Sequence, residues 1–159
     1  MAQKHTLVFL VADKPGVLNR VASLFRRRGF NIDSIAVGQS EVPNFSRMTI
    51  VIDGGTTQVE QVRKQLEKLI DVVKVNDISS SNLVARELAM IKVKTTPSSR
   101  SEIMQIVDIF RAKIVDVSPS SITVEATGDE AKIISLYNLL KGFGIKEITR
   151  TGRVAMVRG

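Results

Sequence analysis

The 159-residue chain has no cysteine and no tryptophan, and it has only one histidine and one tyrosine. Without thiols it can build no disulfide framework, no thiolate nucleophile and no cysteine metal site, and a single histidine, His5, cannot form an imidazole cluster. Aromatic residues make up 4% of the chain, too few to line a surface on which bases stack. No apolar run approaches the ~20 residues of a membrane-spanning helix. The run over residues 7–12 stops at Asp13 and is followed by no cleavage site, so it does not read as a leader. A reducing, cytoplasmic compartment is the expectation.

What is present describes a water-soluble globular chain: 43% apolar and 25% charged residues. Lys and Arg number 23 against 16 Asp and Glu, a net charge of +7. Such an excess suits an anionic partner when it is gathered into one block. Here residues 1–78 carry 11 basic and 8 acidic side chains, and residues 83–159 carry 12 and 8, so the excess is spread evenly. Neither nucleic acid nor a membrane is expected as a partner.

The chain repeats one layout. Residues 5–12 are almost continuously apolar, β-branched or aromatic, the pattern of a buried central strand. Pro15 and Gly16 stop it, and Val17, Leu18, Val21, Ala22, Leu24 and Phe25 then recur at helical spacing until Gly29, with Pro15 suited to the helix's first turn. Residues 30–40 and 47–52 predict a hairpin around Pro43 and Asn44. Val59, Val62, Leu66, Leu69 and Ile70 predict a second helix, and residues 72–78 a strand.

After residues 79–82, polar and read as a linker, the same order returns. A strand is expected over 87–94 and a helix capped by Ser98 or Ser99 with Ile103, Ile106, Val107 and Phe110. A hairpin around Pro119 pairs residues 114–117 with 122–126. A helix capped by Asp129 carries Ile133, Ile134, Tyr137 and Leu140, and the last strand is 145–149. The fold class is therefore α+β: two ferredoxin-like βαββαβ domains in tandem, residues 1–78 and 83–159. At roughly 75 residues each copy is near the size at which one core is marginal, and the split topology leaves open strand edges. A homodimer is the expected answer to both.

The first loop carries the most chemical information. Pro15 presets φ, Gly16 allows another group to approach the backbone, and the N–H groups of Gly16, Val17 and Leu18 open a helix, a receptor of carboxylate size. Asp13 beside them can accept from an ammonium group, so the turn offers both halves of an amino-acid zwitterion a partner. The plain alternative is an ordinary helix start. Asn31, after Gly29 and Phe30, either binds such a zwitterion through its amide or closes the turn. Arg26, Arg27 and Arg28 complement the carbonyl end of the first helix. Arg47 either pairs at an interface or is solvated, and His5 is expected to be an exposed residue at a strand end without a partner.

The segments Asp13-Lys14-Pro15-Gly16-Val17-Leu18-Asn19-Arg20, Arg27-Arg28-Gly29-Phe30-Asn31-Ile32, Ser46-Arg47-Met48-Thr49-Ile50 and Arg150-Thr151-Gly152-Arg153 with Arg158-Gly159 resemble the small, regulatory subunit of acetohydroxyacid synthase, also called acetolactate synthase. The resemblance runs from end to end. It implies that residues 1–78 form an ACT domain that dimerises side by side, and that a branched-chain amino acid, valine foremost, binds at the dimer interface. The ligand would be held by Asp13, Lys14, Pro15, Gly16, Val17 and Leu18, by Asn31 contributed across the interface, and by Ile32. Asp13 stands where many members have Asn. The resemblance further implies that the chain activates a separate catalytic large subunit and transmits feedback inhibition to it. Thiamine diphosphate, Mg²⁺ and flavin (FAD) would then reside on that large subunit, with no cofactor and no catalytic residue in this chain. The location implied is the cytoplasm, or the plastid stroma after transit-peptide removal in a photosynthetic eukaryote.

Two rival readings follow from the fold class. An RNA-binding module shares the strand and helix order, but it reads bases with inner-strand aromatics that residues 46–53 lack. A small ferredoxin-like enzyme would need a nucleophile or paired acid and base, and no motif of that kind occurs.

Overall fold

The computed structural model describes residues 4–159. By contact the chain divides into two units, Met1–Val84 with Gly152–Gly159, and Ala85–Thr151. The sequence places all of 83–159 in the second repeat; the closing segment instead groups with the first unit.

In the first unit, β1 (Lys4–Ala12), α1 (Val17–Arg27), β2 (Ile32–Gln39), β3 (Phe45–Asp53), α2 (Thr56–Glu67) and β4 (Val72–Asp77) follow the expected order. The sheet is antiparallel, with strand order β2-β3-β1-β4. Alternation along β1 and β3 sends Leu7, Phe9, Val11, Met48, Ile50 and Ile52 to one face, where Val17, Val21, Leu24 and Phe25 of α1 and Val59, Val62 and Leu66 of α2 cover them. Phe9 faces Met48 and Leu7 faces Ile50, so the register brings large apolar side chains of both central strands together under the helices.

Several expectations change here. α1 starts at Val17 with Gly16 as its N-cap, so Pro15 precedes the helix, and Leu18 is 51% exposed because it points away from the sheet. α2 ends at Glu67, where the N–H groups of Lys68 and Leu69 bond back to Gln65 and Leu66 at 3.2 and 3.0 Å; Ile70 therefore leaves the stripe and is 96% exposed. His5 is not exposed. It lies in a strand flanked on both sides, and its Nδ1–H donates to Asp77 Oδ2 of β4 at 2.9 Å. Arg47, read as a lone charge, has a partner within the chain: it bonds Glu41 across the hairpin at 2.7 and 3.2 Å and holds the Glu41 carboxyl below its ordinary pKa. Ser79, expected in a linker, accepts from Thr6 N at 2.7 Å and donates its N–H to Asp77 Oδ1 at 3.1 Å.

The second unit repeats the plan with β5 (Leu83–Lys94), α3 (Arg100–Ile109), β6 (Lys113–Val117), β7 (Ser121–Gly128), α4 (Glu130–Leu140) and β8 (Ile145–Arg150), in the order β6-β7-β5-β8. Ala89, Ile91, Val93, Ile122, Val124 and Ala126 pack under Ile103 and Val107 of α3 and Ile133, Leu136 and Leu140 of α4. Asp129 Oδ1 accepts from Lys132 N at 2.9 Å, the expected cap. Ser99 occupies the N-cap of α3 but bonds backward, accepting from Thr96 N at 2.9 Å, so it closes a turn rather than capping. Ile134 lies 44% exposed on the outer side of α4 rather than in the core.

At Gly152, φ is 84°, and the chain returns to the first unit. Arg153 N donates to Ser34 Oγ at 3.3 Å and Arg153 Nη1 to Thr6 Oγ1 at 3.2 Å, on the sheet face opposite the helices. A Cβ on Gly152 would lie 3.0 Å from Ser34 Cβ, so the approach requires glycine twice over. A final strand, β9 (Val154–Val157), pairs with β5, whose first residues Leu83 and Val84 also belong to the first unit.

Candidate functional site

The loop between β1 and α1 is built by backbone bonds. Ala12 N donates to Asp71 O at 2.8 Å, Asp13 N to Asn44 O at 2.9 Å and Lys14 N to Ala12 O at 2.9 Å, which fixes where the strand ends. Gly16 then adopts φ 85°, a left-handed conformation that L side chains avoid, and turns the chain into α1. The helix begins with no side-chain cap and no acidic residue in its first turn. Among the described residues the N–H groups of Leu18 and Asn19 find no acceptor. Donors at the positive end of a helix dipole are thus left for an outside anion.

Asp13, Lys14, Pro15, Gly16 and Leu18 are all exposed. Val17 differs: its side chain is sunk in the core at 3% exposure, and its N–H bonds Lys14 O at 3.4 Å. Leu18 and, on β2, Val37 at 49% offer exposed apolar surface.

Asn31 is exposed just ahead of β2, and Ile32 packs partly against the core. Ile32 lies opposite Ile52, which lies opposite His5; the loop follows Ala12, opposite Phe45. From His5 to Ala12 the strand rises about 24 Å. One chain therefore holds Asn31 and the loop at opposite ends of its sheet. The far end of β2 is the one near the loop, since Gln39 faces Ser46 and Ser46 faces Val11.

Two residues absent from the sequence-based site frame the loop. Arg20, one turn into α1, forms an ion pair with Asp71, and a Cβ on Gly16 would come within 3.3 Å of Arg20 Nη1. Nothing in the sequence links them, because they stand 51 residues apart.

Among the described residues no group of three or more His, Asp or Glu is placed to hold a metal ion, and no helix is long and apolar enough to cross a membrane.

Two antiparallel four-strand cores with paired helices, the first led by a glycine turn into its first helix, define a tandem ferredoxin-like protein of the ACT type. Residues 7–74 match the family described as the AHAS small subunit-like ACT domain, and residues 86–159 match that described as the small subunit of acetolactate synthase. The chain is 56% identical to a probable acetolactate synthase small subunit of Archaeoglobus fulgidus, over 98% of both chains. It is 53% identical to the acetolactate synthase small subunit of Mycobacterium bovis, over 98% of this chain and 92% of that one. The crystal structure of the Thermotoga maritima acetolactate synthase small subunit superposes with a TM-score of 0.90 at 47% identity, covering 99% of this chain and 98% of the other. The chain belongs to the acetolactate synthase small-subunit family.

Proposed function

We propose that this chain activates the catalytic large subunit of acetolactate synthase and makes it sensitive to feedback by a branched-chain amino acid, valine foremost. The effector binds between two copies of the first unit. The observation that carries this reading is the separation of the loop from Asn31 by the length of a sheet whose edge strand, β2, is open. Two copies paired antiparallel along β2 set Asn31 of one at the loop end of the other. The effector carboxylate then meets the Leu18 and Asn19 N–H groups, its ammonium meets Asp13, and its branched side chain lies against Leu18 and Val37. The large subunit supplies the thiamine diphosphate, Mg²⁺ and flavin, and all of the bond-making chemistry; this chain contributes binding energy and a change of state. A cytoplasmic location, or a plastid one in a photosynthetic eukaryote, fits that partnership.

Calorimetric titration of the full chain with valine, leucine, isoleucine and alanine tests the reading. Saturable binding of at least one branched-chain amino acid, with alanine silent, is expected. No heat with any of the three overturns it.

A further inference from the structure

Asp71 touches both flanks of the effector loop. Its carbonyl oxygen accepts from Ala12 N at 2.8 Å, the last strand residue before the loop, and its carboxylate binds the guanidinium of Arg20, which stands just past it. Arg20 is itself tied to the loop, since its N–H donates to Gly16 O at 3.1 Å. Loop entry and loop exit are thus referred to one residue, which lies immediately before β4, outside the loop in sequence. The carboxylate is only 11% exposed whereas the guanidinium is 48% exposed, so the acid is the fixed post and the arginine the arm. The arm also bounds the space above Gly16, where an added Cβ would meet Arg20 Nη1 at 3.3 Å.

Resting on the effector site described above, we infer that Arg20 and Asp71 are positioning residues: their ion pair holds the loop in the geometry in which its N–H groups converge on the effector carboxylate. With its arginine half in solvent, the pair adds only modestly to folding stability, because solvent reaches the guanidinium and the arginine loses rotamer freedom. Its effect falls on the loop, where a displacement of about 1 Å is enough to misalign donors and ligand by a large factor in affinity. Arg20→Lys keeps a cation within reach of Asp71, so it retains most of the function.

The test is calorimetric titration of the full chain with L-valine, run on wild type, Arg20→Met, Asp71→Asn, the double variant and Arg20→Lys, with urea midpoints taken without ligand. Each single change is expected to weaken valine binding roughly tenfold or more, with the double variant no weaker than the poorer single and Arg20→Lys within about threefold of wild type. The unliganded midpoints should stay together. Singles that bind like wild type overturn the clamp and leave the effector site standing. Affinity losses that track lowered midpoints, or that add in the double variant, also overturn it, because the pair then acts on the fold alone. If wild type itself binds no valine, leucine or isoleucine, the effector site falls and the clamp falls with it.

Discussion

His5 Nδ1–H and Asp77 Oδ2 meet at 2.9 Å and tie the start of β1 to the end of β4. Burial alone would raise the pKa of Asp77, but the Ser79 hydroxyl and N–H, and then His5, outweigh it and hold the carboxyl below its ordinary value. A depressed carboxylate contributes stability that is complete above its unfolded value, about 3.9, and that is lost as pH falls through the folded value. Wild type should therefore be more stable than Asp77→Asn at pH 7, and the gap should close as pH falls below about 4. Urea midpoints across that range check this, and a gap that stays constant rules it out.

Gly16→Asp should abolish effector binding while the protein still folds. The new side chain is strained at φ 85°, presses toward Arg20 and places an anion where the ligand carboxylate goes. The strain costs on the order of 1–2 kcal/mol, which a folded domain tolerates. Branched-chain amino acid should no longer raise the thermal midpoint, although activation of the large subunit persists. A ligand-dependent rise equal to that of wild type would refute the assignment.

Asn31→Ala should weaken effector binding at least about tenfold, the worth of one hydrogen bond to a charged group. Asn31 is exposed, and its amide has no partner among the described residues, so the unliganded midpoint should hardly move. A lowered midpoint with unchanged affinity would make it a turn residue instead.

The chain should be dimeric at micromolar concentration through β2, an edge strand of the first sheet. Val37→Lys puts a cation on that edge and should shift the mass seen in light scattering toward the monomer. A wild-type monomer with valine present would show that the edge is not used.

The strand and helix order was legible because each element is amphipathic over its own length. Leu7, Phe9 and Val11 alternate, and Val17, Val21, Leu24 and Phe25 fall at helical spacing. Periodicity says nothing about where a helix loses its hydrogen bonds, which is why Ile70 reads as core and stands in solvent. Pairings across long stretches are silent too. His5 and Asp77 are 72 residues apart, and Arg153 reaches Thr6 over 147. β9 comprises only Val154–Val157, too few residues to show alternation. In the candidate site, the Pro15-Gly16 turn announces itself through backbone chemistry, whereas the distance from the loop to Asn31 depends on strand register and appears only once the sheet is built.

The return of Gly152–Gly159 gives the first unit an unusual biosynthetic history. Its two helices and the four strands of its sheet are made by Asp77, yet the segment that bonds Thr6 and Ser34 is synthesised about 75 residues later. At about 5–20 residues per second, translation of the intervening part takes on the order of ten seconds. For that interval a nascent first sheet carries its helices on one face, while Thr6 and Ser34 on the other still lack their Arg153 partner. The codons for residues 152–159 therefore complete a unit begun about 150 residues earlier, and a ribosome that stops short of them releases a chain whose unfinished part was made first.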